Sequence, residues 1–282
     1  MTLLQKLEKI AEKSNTSLDY ILNLYALEGI ARRISYLPDA ESVIIRGSLI
    51  TRSWVYPYFR KVNDLDLMGI YPYDAKRGID FIRRALDVNN IADGLHCFPD
   101  GLVTEDIWVE SEFPGHRFYF PVGLCGYQLT IQADISYNDP LIPPPFWWEY
   151  PALLPELNMK IHTISPELAL SWKVHGLFET WNTKGGVWRV KDLYDIFLII
   201  KTQKPDEKSF AEALKIAFID RKTPFYLYQR ILDGEFGLSK GSRKAWEKFA
   251  VKQQNADIPE NHLDVLTEIR KFLDPFFIEL MK

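Results

Sequence analysis

The stretch Val43-Ile44-Ile45-Arg46-Gly47-Ser48-Leu49, followed downstream by Asn63-Asp64-Leu65-Asp66-Leu67, decides how the rest of the chain is read. Residues 42–46 are a short β-branched run that ends in Gly47-Ser48, and residues 49–56 resume helical spacing, so the order is strand, tight turn, helix. Leu65 and Leu67 alternate with Asp64 and Asp66, so a strand here points both carboxylates to one face and the leucines to the core.

Residues of these types in this order suit one kind of chemistry. Attack on the α-phosphate of a nucleoside triphosphate needs divalent cations, because the attacking and leaving oxygens both gain negative charge. Magnesium prefers carboxylate oxygens, and two aspartates at i and i+2 on one strand, joined by a third from a neighbouring strand, make a two-metal clamp. Asp64, Asp66 and Asp134 meet that demand. A glycine turn at a helix start offers backbone N–H groups to the phosphates with no side chain in the way, and Gly47-Ser48 supplies it. An Asp-x-Asp on a strand also describes a solvated edge. The order apolar strand, Gly-Ser, helix, Asp-x-Asp and later strand aspartate is more than packing alone requires. Arg46 and Arg60 flank the motif and read either as phosphate ligands or as surface charge.

Working outward, residues 1–13 alternate charge with leucine like an amphipathic surface helix, and residues 17–36 repeat apolar side chains at helical spacing up to Leu37-Pro38. Residues 76–86 read as a further helix. Three strands are expected at 103–112, 116–122 and 127–137, joined as two hairpins. In the last, Leu129, Ile131, Ala133 and Ile135 share one face, which turns Asp134 away from the core. Residues 140–155 hold six prolines and read as an irregular connection, with the boundary between a first lobe, 1–150, and a second, 151–282. Ser165-Pro166-Glu167 carries an N-cap, a proline at the first helical position and an acid in the first turn, opening a helix to about residue 178. A second helix from about Arg189 places Val190, Leu193, Tyr194, Phe197 and Leu198 on one stripe, with Asp192 and Asp195 looking outward. From 208 on the chain is amphipathic, so the second lobe is expected to be helical throughout.

Composition excludes several classes. A hydrophobic share of 47% with 26% charged residues fits a globular chain with a sizeable core. No run approaches the roughly 20 apolar residues of a membrane span, and the start lacks the pattern of a signal peptide. Cys97 and Cys125 are the only cysteines and have no ligand spacing around them, which argues against a disulfide framework or a zinc site and for a reducing, cytoplasmic setting. A net charge of −4 and a pI near 5.8 argue against coating nucleic acid by bulk electrostatics. A local basic face is the remaining route, from Arg32-Arg33, Arg52 with Arg60-Lys61, or Arg83-Arg84, although such pairs also serve as solvated surface. Trp147-Trp148 reads as packing in a proline-rich connector more readily than as a base-stacking platform.

The segment Tyr25-Ala26-Leu27-Glu28-Gly29, with the Gly-Ser turn and Asp64-Leu65-Asp66, resembles the AbiEii/AbiGii nucleotidyltransferase toxin family, and the resemblance covers roughly residues 20–200. Ile131-Gln132-Ala133-Asp134-Ile135, Arg189-Val190-Lys191-Asp192-Leu193-Tyr194-Asp195 and the segment from Ser165 to Lys173 are similar to its later motifs. The resemblance implies an α+β polymerase-β-like fold, with a mixed sheet flanked by helices and a helical C-terminal lobe. It implies metal and triphosphate at Gly47, Ser48, Asp64 and Asp66, with Lys173 and Asp192 lining the cleft. Lys173 would neutralise phosphate charge, and Asp192 would orient a reacting group or act as base. The family often has a second glycine or a threonine where Ser48 stands, and glycines where Ser136-Tyr137-Asn138-Asp139 follow Asp134, so Asp134 is less firmly placed than Asp64 and Asp66.

The function implied is a magnesium-dependent transfer of a nucleotide from a nucleoside triphosphate to a hydroxyl, with an RNA such as the 3′ end of tRNA as acceptor. The chain would be the toxin of a type IV toxin–antitoxin pair with a cognate antitoxin. A non-catalytic nucleotide-binding module acting through a protein partner, and a small-molecule nucleotidyltransferase of the antibiotic-modifying type, are the alternatives.

Overall fold

The computed structural model describes residues 1–57, 60–108, 112–183, 189–232, 236–253 and 258–282. Two compact units form: residues 1–53, 61–139 and 145–164 make the first, and residues 54–60, 140–144 and 165–282 make the second.

In the first unit α1 (Leu3–Lys13) starts with a reciprocal cap in which Thr2 and Gln5 each satisfy the other's backbone N–H, and α2 (Leu18–Ser35) starts on Ser17. Then follow β1 (Val43–Arg46), α3 (Gly47–Val55), β2 (Leu65–Gly69), α4 (Ala75–Asp87) and β3 (Leu95–Cys97). The strands β4 (Val103–Ile107), β5 (Gly115–Leu124), β6 (Tyr127–Tyr137), β7 (Phe146–Tyr150) and β8 (Met159–Thr163) complete it. The sheet runs β3-β5-β6-β2-β1-β8-β7, with β4 also on β5. It is mixed: β2 lies parallel to β6 and β1 parallel to β8, while the other pairs are antiparallel.

Alternation gives the sheet two chemically distinct faces. Phe118, Phe120, Ile131, Ala133, Ile135, Leu65 and Leu67 are buried on one face. There α4 comes so close that a Cβ on Gly78 would stand 2.6 Å from the Tyr137 hydroxyl, and α2 brings Gly29 against Leu95. Each fully buried side chain of this size contributes about 1.5–3 kcal/mol. The opposite face carries Arg46, Asp66, Asp134 and Arg117.

The hairpins expected at 103–137 form, although residues 109–111 of the first strand lie outside the described residues. The proline-rich segment corrects the expectation of an irregular connection. Its prolines leave 146–150 free, and that gap pairs with β8 as the edge strand β7.

Arg32, Arg33 and Arg52 turn inward instead of joining a basic face, while Arg83 is exposed. Arg32 and Arg33 are buried against the Asp93 carboxylate, at 3.1 and 2.7 Å, and Arg33 also donates to the Leu95 carbonyl at 2.8 Å. Arg52 is buried, with its Nη1 at 4.0 Å from Glu28, and Arg84 is engaged by Asp39 and Asp80. Arginines inside a fold are tolerated only against such partners, so these clusters fasten elements together.

The second unit contains α5 (Pro166–Thr183), α6 (Val190–Gln203), α7 (Glu207–Asp220), α8 (Gln229–Leu232), α9 (Lys240–Gln253) and α10 (His262–Leu280). Its core is aromatic: Phe178, Phe218, Tyr228 and Phe277 are buried together, with Tyr228 stacked on Phe277 at 3.9 Å. The chain is thus α+β, a mixed sheet flanked by helices and followed by a helical C-terminal lobe.

Candidate active site

Gly47 ends β1 and begins α3 without an intervening loop, in the left-handed region at φ +73°. Glycine is required twice over. Side chains rarely adopt that φ, and a Cβ on Gly47 would stand 1.9 Å from Oδ2 of Asp66. The Asp66 carboxylate is therefore packed directly against the turn. The first N–H groups of a helix have no partner within it and the helix dipole favours negative charge there, so this turn is suited to an anion. Ser48, in the first turn of α3, is buried and its Oγ has no hydrogen-bond partner among the described residues. An orphaned hydroxyl is costly unless a ligand completes it.

The register of the sheet aligns the charged residues. Arg46 pairs with Asp66, Asp66 with Asp134 and Asp134 with Arg117, so four adjacent strands carry a row Arg-Asp-Asp-Arg on one face. Asp64 precedes the row. It is half-buried in the bend before β2, because the strand begins at Leu65 and not at Asp64 as its spacing predicts.

Asp134 is tightly engaged. Arg117 donates to both of its oxygens at 2.8 Å from Nε and Nη2, and the Gln132 amide reaches the same oxygens at 3.3 and 3.5 Å. The Asp134 hydrogen bond holds the Arg117 guanidinium above its ordinary pKa. Arg117 Nη1 also lies 3.7 Å from Glu105, and Arg46 lies 3.6 Å from Asp139. Among the described residues no three His, Cys, Asp or Glu side chains are arranged to hold a metal ion. Asp66 against the turn, with Asp64 two residues before it, is a donor set magnesium can use, since it commonly takes one or two carboxylates and completes its shell with phosphate oxygens and water. Asp134, as it stands, is Arg117's partner.

In the second unit Arg60, Lys173, Asp192 and Asp195 come together. The expectation that both acids look outward is corrected: they are 7% and 2% exposed. Arg60 donates through Nε and Nη2 to both oxygens of Asp195 at 3.0 Å, and Lys173 Nζ donates to Asp195 Oδ2 at 2.7 Å. Burial works to raise the Asp195 pKa, but the charges of Arg60 and Lys173 outweigh it and hold the carboxyl below its ordinary value. Asp192 lies against Arg189 and 3.6 Å from Lys173. Helical periodicity marks apolar stripes and misses acids drawn inward by buried cations.

A family model described as nucleotidyl transferase AbiEii toxin, Type IV TA system, matches residues 34–271, which include the glycine turn, the aspartate row and the Lys173 cluster. The chain belongs to this family. As an AbiEii-family member it is a nucleotidyltransferase of the toxin class, the type that is paired with an antitoxin. Among solved structures it is similar to JHP933 from Helicobacter pylori, at 14% identity over 94% of each chain with a TM-score of 0.48. It is also similar to a candidate nucleotidyltransferase from H. pylori, at 14% identity over 94% of this chain and 97% of the other with a TM-score of 0.46. Likeness at that distance assigns nothing to the AbiEii-family site. No curated protein matches the chain in sequence. None of its described helices is long and apolar enough to cross a membrane.

Sequence reasoning missed Arg117, Gln132, Asp195 and Arg189. Arg117 alone carried a signal, in the alternation of β5, where Phe118, Phe120 and Val122 point one way and Arg117 the other.

Proposed function

We propose that the enzyme transfers a nucleoside monophosphate from a nucleoside triphosphate to a hydroxyl of an RNA acceptor, a tRNA 3′ end being the leading candidate, with release of pyrophosphate. The observation that carries this reading is the closure of the Gly47 turn on the Asp66 carboxylate, beside the partnerless Ser48 hydroxyl. A triphosphate supplies what both lack, anionic oxygens for the helix start and the hydroxyl. Magnesium held by Asp64 and Asp66 would neutralise the charge developing on those oxygens.

In the transfer, the acceptor oxygen forms a bond to the α-phosphorus as the bond from that phosphorus to the bridging oxygen of the β-phosphate breaks. Pyrophosphate leaves and the acceptor's proton passes to a base. Lys173, fixed by Asp195 and Asp192, is assigned to phosphate charge, and Arg46 and Arg60 to the same task. Each Asp192 oxygen already faces a cation, Lys173 on one side and Arg189 on the other, so we assign it the orienting role.

Purified protein, incubated with each labelled nucleotide, magnesium and total RNA, is expected to label RNA, and Asp64→Ala or a chelator to abolish the label. Equally poor labelling by wild type and variant with all four nucleotides would remove the reading. Label appearing only on small acceptors would replace RNA by an antibiotic-type substrate, and saturable triphosphate binding without turnover would leave a binding module.

A further inference from the structure

We propose that Arg117 is a lock on Asp134, so that this carboxylate can join Asp64 and Asp66 as a metal ligand only when the Arg117–Asp134 pair opens. The inference rests on the metal-site reading above.

Three observations carry it. The first is saturation: both Asp134 oxygens receive Arg117 at 2.8 Å, a bidentate arrangement stronger than a single neutral hydrogen bond, and Gln132 adds a weaker donor to each. A carboxylate so engaged has little left to offer a cation. The second is register. Asp134 stands beside Asp66 across β6 and β2, and like charges opposite one another are unfavourable, so without a cation between them the row needs a counter-charge. Arg117, next in the row on β5, provides it. The third is an alternative partner. Arg117 Nη1 is 3.7 Å from Glu105 on β4, and the Glu105 side chain is half exposed, whereas that of Asp134 is 11% exposed. Releasing Asp134 therefore leaves the guanidinium with a carboxylate within reach. The side chain of Arg117 is itself 28% exposed, so this exchange needs no repacking of the apolar face.

The probe is manganese alone, titrated into the full chain by calorimetry and by the loss of free-ion paramagnetic resonance signal, without nucleotide. Wild type is expected to bind the ion in an Asp64-dependent manner. Arg117→Gln should bind it about tenfold tighter, since an ion no longer competes with charge-assisted hydrogen bonds. Arg117→Lys, which keeps the charge but loses the bidentate geometry, should fall between the two. Adding Asp134→Asn to Arg117→Gln should cancel the gain, a result that a merely structural arginine would not give. Circular dichroism on each variant checks that it folds, and Arg117→Lys serves if Arg117→Gln does not. Asp64-dependent binding that is unchanged or weaker in both Arg117 variants overturns the lock and leaves the metal site standing. Binding that ignores Asp64→Ala overturns both.

Discussion

Gly47 concentrates two constraints on one Cα: a left-handed φ of +73° and the Asp66 carboxylate in the space a Cβ would fill. A left-handed residue other than glycine costs about 1–2 kcal/mol, and the added methyl must also push Asp66 out of the row. Gly47→Ala is therefore expected to lower stability by about 2 kcal/mol in a denaturant melt. It should lower nucleotide transfer by roughly a hundredfold, the usual effect of moving a reacting group by about an ångström. Transfer at the wild-type rate in this variant would show that the turn and Asp66 do not act as one. The turn was legible because only glycine ends a β-branched run in this way. The closeness of Asp66 was not, since it depends on how β1 and β2 are paired.

At the scale of elements, Asp195 on α6 ties Lys173 of α5 to Arg60, and all three side chains are largely shielded. Removing one member of a buried ion cluster leaves the others uncompensated, at a cost of about 3 kcal/mol. The sign of the pH dependence follows from the lowered Asp195 pKa. The stabilisation is complete above the unfolded carboxyl value of about 4, and is lost as pH falls through the still lower folded value. Urea melts of Asp195→Asn and wild type should differ by about 3 kcal/mol at pH 7 and converge toward pH 3. A gap of equal size at both pH values would mean that the carboxylate charge is not what matters.

The β5–β6 hairpin shows where legibility stopped. The alternation in residues 127–137 gives β6 its limits and faces, but residues 123–126 read only as a separator. The turn is in fact two residues, Cys125 and Gly126, with φ of +52° and +86°, the positive pair that a tight hairpin demands. Counted outward from that turn, Arg117 falls opposite Asp134. A cysteine is not a usual residue for such a position, so the register, and the lock with it, stayed hidden. Residues 146–150 were lost for another reason, because the count of prolines obscured their clustering at either side. The burial of Asp195 had no local signal, since its cations, Arg60 and Lys173, lie far away in the chain, whereas Asp192 has Arg189 only three positions before it.

For the whole molecule, a net charge of −4 together with inward-directed Arg32, Arg33 and Arg52 leaves little for diffuse attraction to RNA. An RNA acceptor must be held by a few local cations. The logarithm of RNA affinity against that of salt is expected to slope by about −2 to −3, which corresponds to three or four phosphate contacts with a single strand. Filter binding between low and physiological salt measures it, and a slope near −8 would mean that many more phosphates are contacted than this reading allows. At this scale the sequence conveyed the α+β class and the helices after residue 165, but the lobe boundary read at 150 falls too early, since residues 145–164 with strand β8 group with the first unit. It did not convey that residues 54–60 and 140–144 group with the second unit, because grouping follows contacts rather than chain order.

The parallel pairing of β2 with β6 also sets a clock. Asp66 and its sheet neighbour Asp134 are 68 positions apart (134 − 66), and α4, β3, β4 and β5 lie between them. A ribosome adds about 5–20 residues per second, so for roughly 3–14 s after Asp66 is made its neighbour has not been translated. Arg117 is made before Asp134, so the guanidinium is already waiting when that acid emerges. A chain interrupted anywhere in this interval carries the glycine turn and the first two aspartates but not the paired row.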